Sequence, residues 1–156
     1  MSDPRKWLGL VGWTALPFVA GFLGGQAGEP SYYGELTRPS WAPPGWLFGP
    51  VWTVLYIGMG VAAWLVWKEG GFGRARTALW LFLVQLVPNV LWTPLFFGMR
   101  RPDLALADLV VLWVLIVATI AAFRRRSTTA ALLLVPYLLW VTFAGALNFA
   151  LWRLNP

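Results

Sequence analysis

The chain reads as an all-α integral membrane protein, a single bundle of five transmembrane helices with a long structured loop between the first two. Three observations lead there. Of 156 residues, 59% are hydrophobic and only 12% charged, with a mean hydropathy of +0.66; a soluble domain of that length needs far more charge to cover its surface. Five apolar segments are each long enough to cross a hydrocarbon core of roughly 30 Å as a helix. None of the five alternates strictly in polarity as a barrel strand does, and each lies between charged or Gly/Pro-rich breaks.

The segments are residues 7–23, 46–67, 77–97, 104–123 and 130–152. They occupy most of the chain, so residues 1–156 form one domain. The first has a basic start and a small-x-small site at Gly25–Ala27, as a signal peptide would, but its apolar run is longer than a signal core and it is kept as a span. Its glycines Gly9, Gly12, Gly21 and Gly24 permit close helix contact, and Pro17 is expected to kink it. Only the first connection is long; the other three are short, which predicts antiparallel neighbours. Pro50 falls in the first turns of span two, where a missing N–H costs little. Pro88, Pro94 and Pro136 lie deeper and should bend spans three and five. No internal repeat of the inverted-transporter kind is present.

The net charge is +6, with no Cys and no His. Arg5, Lys6, Lys68, Arg74, Arg76, Arg124, Arg125 and Arg126 fall on one side of the membrane; Arg38, Arg100, Arg101 and Arg153 fall on the other. That imbalance predicts a cytoplasmic N-terminus and places the first connection outside. The basic residues punctuate the spans rather than form a soluble face, which argues against nucleic-acid binding. Without His or Cys, and with few acids, no metal centre is expected and no cofactor is required. Phosphate loops, nucleophile elbows and paired carboxylates are all missing from the sequence.

Polar side chains inside the spans need a reason. Gln85 and Asn89 share a helical face, with Trp92 at i+7 from Gln85; Asn148 follows Tyr137 and Trp140 in span five; Trp52 and Tyr56 are an i,i+4 pair in span two. Amides of this kind either glue helices together or line a pocket. Asp108, the only acid within a span, is either a structural ion-pair partner of Arg100 or Arg101 or a ligand or proton group. Of the 12 tryptophans, Trp7, Trp46, Trp67 and Trp152 fall at span ends as interface anchors. Trp52, Trp92, Trp113 and Trp140 lie deeper, where rings lining a cleft suit a flat, apolar ligand.

Three stretches, YYGELTRPSWAPPGWLFGPVWTVLY (32–56), QLVPNVLWTPLFFGMRR (85–101) and VPYLLWVTFAGALNFALWRLN (135–155), carry a resemblance. In this order and spacing the chain resembles the translocator protein family (TspO/MBR, tryptophan-rich sensory proteins, peripheral benzodiazepine receptor-like) over nearly its whole length. The resemblance implies five helices around one pocket covered by the first loop. It also implies binding of porphyrins, notably protoporphyrin IX, and of cholesterol-like lipids and benzodiazepine-site ligands, with transport as an associated role. By motif, the ligand positions are Tyr33, Trp41, Pro43, Trp52, Tyr56, Asn89, Trp92, Phe96, Trp140 and Ala144. Trp52 and Trp140 correspond to the pair linked to light-dependent porphyrin breakdown, the one enzyme-like activity in view. Asp108 matches an acid found in many members.

Three departures from the family pattern stand out. The sterol-like pattern Leu147, Phe149, Arg153 carries Phe where Tyr is expected, which weakens the case for sterol. Pro88 is unusual, and span three lacks the small-xxx-small spacing of some dimer contacts, although a homodimer is the family expectation. A bacterial rather than a mitochondrial membrane is expected, since no targeting extension is evident. Three proline-stiffened positions, 39, 43 and 44, lower the entropy lost when the first loop settles, so a lid over the pocket is expected, with Trp41 and Trp46 supplying apolar area.

Overall fold

A computed structural model describes residues 3–156. Helix α1 is Pro4–Gly25, started by the Asp3 side chain, which accepts from the Arg5 N–H at 3.0 Å. A one-turn helix α2, Tyr32–Glu35, lies in the long connection. Then come α3 (Phe48–Trp67), α4 (Gly71–Thr93), α5 (Pro102–Arg124) and α6 (Thr128–Leu154). The five long helices meet the length and hydropathy of membrane spans. Their outer faces agree: Leu8, Val11, Val54, Val110, Leu132 and Leu139 are each more than half exposed, a surface that water would not tolerate and lipid would.

The long helices close a ring, α1 on α3, α3 on α6, α6 on α5, α5 on α4 and α4 back on α1, with α3 and α4 also touching across it. Two prolines explain part of the ring. Pro17 has no N–H to give the Trp13 carbonyl, and Pro94 has none to give that of Val90. Each of those freed carbonyls has a glycine of a neighbouring helix against it. A Cβ on Gly60 of α3 would sit 2.8 Å from Trp13 O and 2.3 Å from Thr14 Cα; one on Gly24 of α1 would sit 2.7 Å from Val90 O. Only glycine permits that approach, and its Cα–H groups face the unpaired oxygens. Gly9 and Gly21 likewise meet the Trp67 and Tyr56 rings, but Gly12 faces open space, contrary to the sequence expectation.

Four of the five long helices run longer than their apolar segments, while α3 starts two residues after the beginning of its own. The third begins at Gly71, six residues early, because Gly70 and Gly71 turn the chain at φ +138° and +59°; a break at Ala75 (φ −125°, ψ 32°) separates this polar first turn from the span. Helical assignment continues through Pro17, Pro88 and Pro136. At Pro94 it changes to a π turn, Pro94–Gly98, closed by Met99 N–H on the Pro94 carbonyl at 2.7 Å.

The half of the bundle near the α3–α4 and α5–α6 turns is solid. Phe82 and Phe123 stack at 6.0 Å and are wholly buried with Leu79, Ala62, Ala63 and Ala130. At the other end, Tyr32 and Tyr33 of the long connection bury against Phe96 of the π turn after α4, Ala105 of α5, and Leu147 and Leu151 of α6. Asn155 fastens the connection: its Oδ1 accepts from the Thr37 N–H at 3.0 Å and its Nδ2 donates to the Thr37 carbonyl at 2.9 Å.

Candidate functional site

Between these two ends lies an aromatic cleft. Its main cavity, about 430 Å³, is lined from α1 by Phe18, Gly21 and Phe22, from α3 by Phe48, Gly49, Trp52, Thr53 and Tyr56, and from α4 by Asn89, Trp92 and Thr93. Leu109 and Leu112 of α5 and Trp140 and Ala144 of α6 complete it. A second cavity of about 390 Å³ adjoins it beneath the connection, sharing Phe48, Trp52, Trp92 and Thr93 and adding Tyr33 and Phe97 among others. Among the described residues no charged side chain lines either one. Volume and apolar lining are those of a small-molecule site.

The walls are stiffened by ring contacts. Trp52 lies 5.4 Å from Tyr56 and 6.1 Å, edge-on, from Tyr137; Trp92 stacks on Phe96 at 5.2 Å; Phe48 meets Trp140 edge-on at 5.9 Å. Such tilted and edge-to-face pairs are favourable and leave flat faces available. A buried polar chain lies behind. Asn89 Nδ2 donates to Tyr137 Oη at 2.7 Å, which donates to Gln85 Oε1 at 2.7 Å. Trp92 Nε1 donates to Asn148 Oδ1 at 3.0 Å, and Asn148 Nδ2 to the Pro102 carbonyl at 2.7 Å. The amides therefore join α4, α5 and α6 and fix the orientation of the Trp92 ring, while Asn89 both bonds Tyr137 and lines the cavity.

Of the ten positions expected to contact ligand, Trp52, Tyr56, Asn89, Trp92, Trp140 and Ala144 line the main cavity and Tyr33 the adjoining one. Phe96 lies behind Trp92, in a small void of about 20 Å³. Trp41 and Pro43 are not on the cleft walls. Trp41 is half exposed and packs edge-on against Phe143 at 5.9 Å, which in turn leans on Trp140; the Pro43 carbonyl accepts the Tyr33 hydroxyl at 2.7 Å. The Tyr33 ring stands between Pro43 and the cleft, and two rings, Phe143 and Trp140, stand between it and Trp41. Trp46 stays exposed rather than adding area to the loop's underside.

Other expectations are corrected. Trp113 faces outward, its Nε1 donating to Thr142 Oγ1 at 2.9 Å, because it lies off the buried Leu109–Leu112–Ile116 stripe of α5. Asp108 does not pair with Arg100. The turn after Gly98 holds Arg100 at φ +52° and sends its guanidinium to Glu29 and Glu35, at 2.9 and 3.1 Å, over the Tyr32 ring. Arg101 takes Asp103 at 2.7 Å. The hydrogen bond to Glu29, then the charge of Glu35, pushes the Arg100 guanidinium above its already high range, so it stays cationic. Asp108 Oδ2 is buried without a hydrogen-bond partner. In the sterol-like pattern, Leu147 is buried under the connection whereas Phe149 and Arg153 are exposed, so the three do not face one site. No group of three or more potential metal ligands occurs among the described residues. The α1 contribution of Phe18 and Phe22 was not foreseen, since both are ordinary apolar residues in an apolar span.

A family model, TspO/MBR, matches residues 13–153. The chain belongs to the TspO/MBR family. It is 44% identical to the translocator protein of Bos taurus over 99% of this chain and 94% of that one. It is 50% identical to the tryptophan-rich protein TspO of Chlorobaculum tepidum, covering 80% of each, and 46% identical to the tryptophan-rich sensory protein of Cereibacter sphaeroides, over 80% of this chain and 77% of that one. The membership agrees with five apolar helices, and this TspO/MBR protein is an integral membrane protein.

Proposed function

We propose that the protein is a membrane receptor for porphyrins, protoporphyrin IX in particular, held in the cleft beneath the first connection. One observation carries this reading: Trp52, Trp92 and Trp140, from three different helices, line a single uncharged cavity with Phe48, Tyr56 and Asn89. Flat ring faces favour a flat aromatic macrocycle by stacking and apolar burial, and the few polar groups orient it. The connection, tied down by Asn155 and by Arg100, serves as the cover.

A second reading has its own support. Trp52 and Trp140 both border the cavity, so an excited pigment there has two oxidisable indoles beside it, and light-dependent porphyrin breakdown would use the pigment's own chemistry. The test is titration of protoporphyrin IX into the protein in nanodiscs, followed by tryptophan quenching in the dark and then under light, with Trp52→Phe and Trp140→Phe alongside. Saturable quenching that persists in light is expected of a receptor. Loss of the pigment band with a new product, only when both tryptophans are present, would establish the photochemical role. No saturable quenching, or competition by cholesterol alone, would replace porphyrin with lipid as the occupant.

A further inference from the structure

The two ends of the bundle treat their charges differently. At the end that carries the long connection, Arg100 and Arg101 are held by Glu29, Glu35 and Asp103, and Arg38 lies over the Tyr33 ring. The end with the α3–α4 and α5–α6 turns carries eight Lys or Arg against two acids, Asp3 and Glu69. None of those eight forms an ion pair among the described residues. Some have a local reason to stand without one. Lys68 lies over the Trp64 ring at 4.7 Å, and Arg124 falls in the last turn of α5, where a cation favours the carbonyl end of the helix.

Arg74 and Arg76 have neither reason. They stand at the start of α4, which has no acid in its first turn and where the helix dipole disfavours a cation. The turn nevertheless positions them. Gly70, at φ +138°, leaves room for the stem of Arg74: a Cβ there would sit 2.5 Å from Arg74 Cδ. Ala75, at the break, is buried, and the arginines on either side of it are exposed. Next to these cations is bare ring surface. Trp80 is 52% exposed and Phe72 39%. Their rings meet at 5.9 Å, and Phe72 also leans on Trp13 of α1 at 6.2 Å. Trp80 follows Arg76 by four residues, on the same helix face and about 6 Å deeper along the axis. None of these three rings lines the cleft.

We infer that this surface is a site for one phospholipid with a net negative headgroup. Its phosphate binds Arg74 and Arg76, and an acyl chain runs along Phe72 and Trp80. Charge complementarity selects the occupant: a zwitterionic lipid brings a cation of its own to two unpaired arginines, and an anionic lipid does not. Membrane orientation requires only that cations lie at this end. It requires neither a glycine turn against Arg74 nor an exposed indole one turn below Arg76. The site lies at the opposite end of the bundle from the connection and is independent of what the cleft holds.

The test is native mass spectrometry of the full chain released from detergent, with phosphatidylglycerol or phosphatidylcholine added in steps to give an affinity for each. The wild type should hold one phosphatidylglycerol about tenfold more tightly than phosphatidylcholine, the order of two exposed and screened basic contacts. Arg74→Gln combined with Arg76→Gln should remove that preference and leave phosphatidylcholine binding as it was. Arg5→Gln combined with Lys6→Gln takes the same charge from the same end and should leave the preference intact. Trp80→Ala should weaken both lipids several-fold and keep their ratio. Equal wild-type affinities overturn the assignment. An equal fall in the two double variants also overturns it, making the preference a diffuse attraction of the whole basic end. Loss of both lipids together in the Arg74 and Arg76 variant would make those arginines supports of the turn. Displacement of phosphatidylglycerol by an equal concentration of inorganic phosphate would leave an anion site without a lipid. Trp80→Ala with no effect on either lipid would remove the acyl chain from the rings.

Discussion

The two halves of the bundle use the same kinds of residue to opposite ends. In the half around Phe82 and Phe123, large rings are matched by alanines at 62, 63, 75, 78 and 130, all buried. Even the polar neighbours there, Gln85, Thr119 and Tyr137, border a void with no room for a water molecule. In the half around Trp52, Trp92 and Trp140, rings face rings at tilted or edge-on angles and the space between them stays open. Alternating large with small fills a core; crowding large with large props it apart. Aromatic content alone therefore does not make a binding site. What matters is whether small residues stand opposite the rings.

The largest expected effect comes from exchanging the roles of the halves. Phe82→Ala opens a cavity in the solid half and should cost about 3–4 kcal/mol, read as a large drop in the thermal midpoint in detergent or nanodiscs, with pigment affinity of the surviving folded protein unchanged. Trp140→Ala should do the reverse, costing little stability and most of the affinity. Equal stability losses from the two would mean that the cleft is as tightly packed as the core. Next is Gly60→Val, which places a side chain against the α1 backbone and should cost about 2–3 kcal/mol by overpacking. Gly12→Ala, facing open space on the same contact pair of helices, should be neutral in the same thermal assay.

Smaller effects sharpen the boundary between the halves. Tyr137→Phe removes the hydroxyl linking Asn89 to Gln85 and leaves both amides short of a partner, for about 1 kcal/mol in the membrane. Because Asn89 also borders the cleft, a change in pigment affinity should accompany the loss; stability change with identical affinity would place the chain wholly in the packed half. Asn155→Ala releases the connection at Thr37. Stability should change by less than about 1 kcal/mol, while ligand dissociation, followed by recovery of tryptophan fluorescence, becomes several-fold faster. Unaltered dissociation would show that Arg100 alone holds the cover.

Legibility in the sequence followed the range of each interaction. Spans were readable because twenty consecutive apolar residues have only one economical conformation in a bilayer, with every backbone bond made internally. The α4 and α6 polar positions were readable because an amide in that setting must find a partner. Seven of the ten motif-derived positions border the paired cavities. Trp113 was misplaced because α5 is apolar all round, so its sequence gives no preferred face. Trp41 and Pro43 lie off the cleft walls because a connection of this length can settle on the bundle in many ways. Arg100 was assigned to the wrong acid for a local reason: its positive φ, which a non-glycine seldom adopts, turns the side chain toward Glu29 and Glu35 and away from Asp108.

By itself the sequence determined the class, the number and approximate limits of the spans, and the polar and aromatic residues that would need explaining. These depend on local composition, which the bilayer reads directly. Tertiary structure decided which carbonyls freed by proline meet which glycines, which rings stand opposite other rings, and where the ion pairs form. Each of those depends on residues far apart in the chain being brought within a few ångströms. Pro17 and Gly60 are one such case, unremarkable separately: the Trp13 carbonyl that the proline frees lies 2.8 Å from where a Cβ on the glycine would sit.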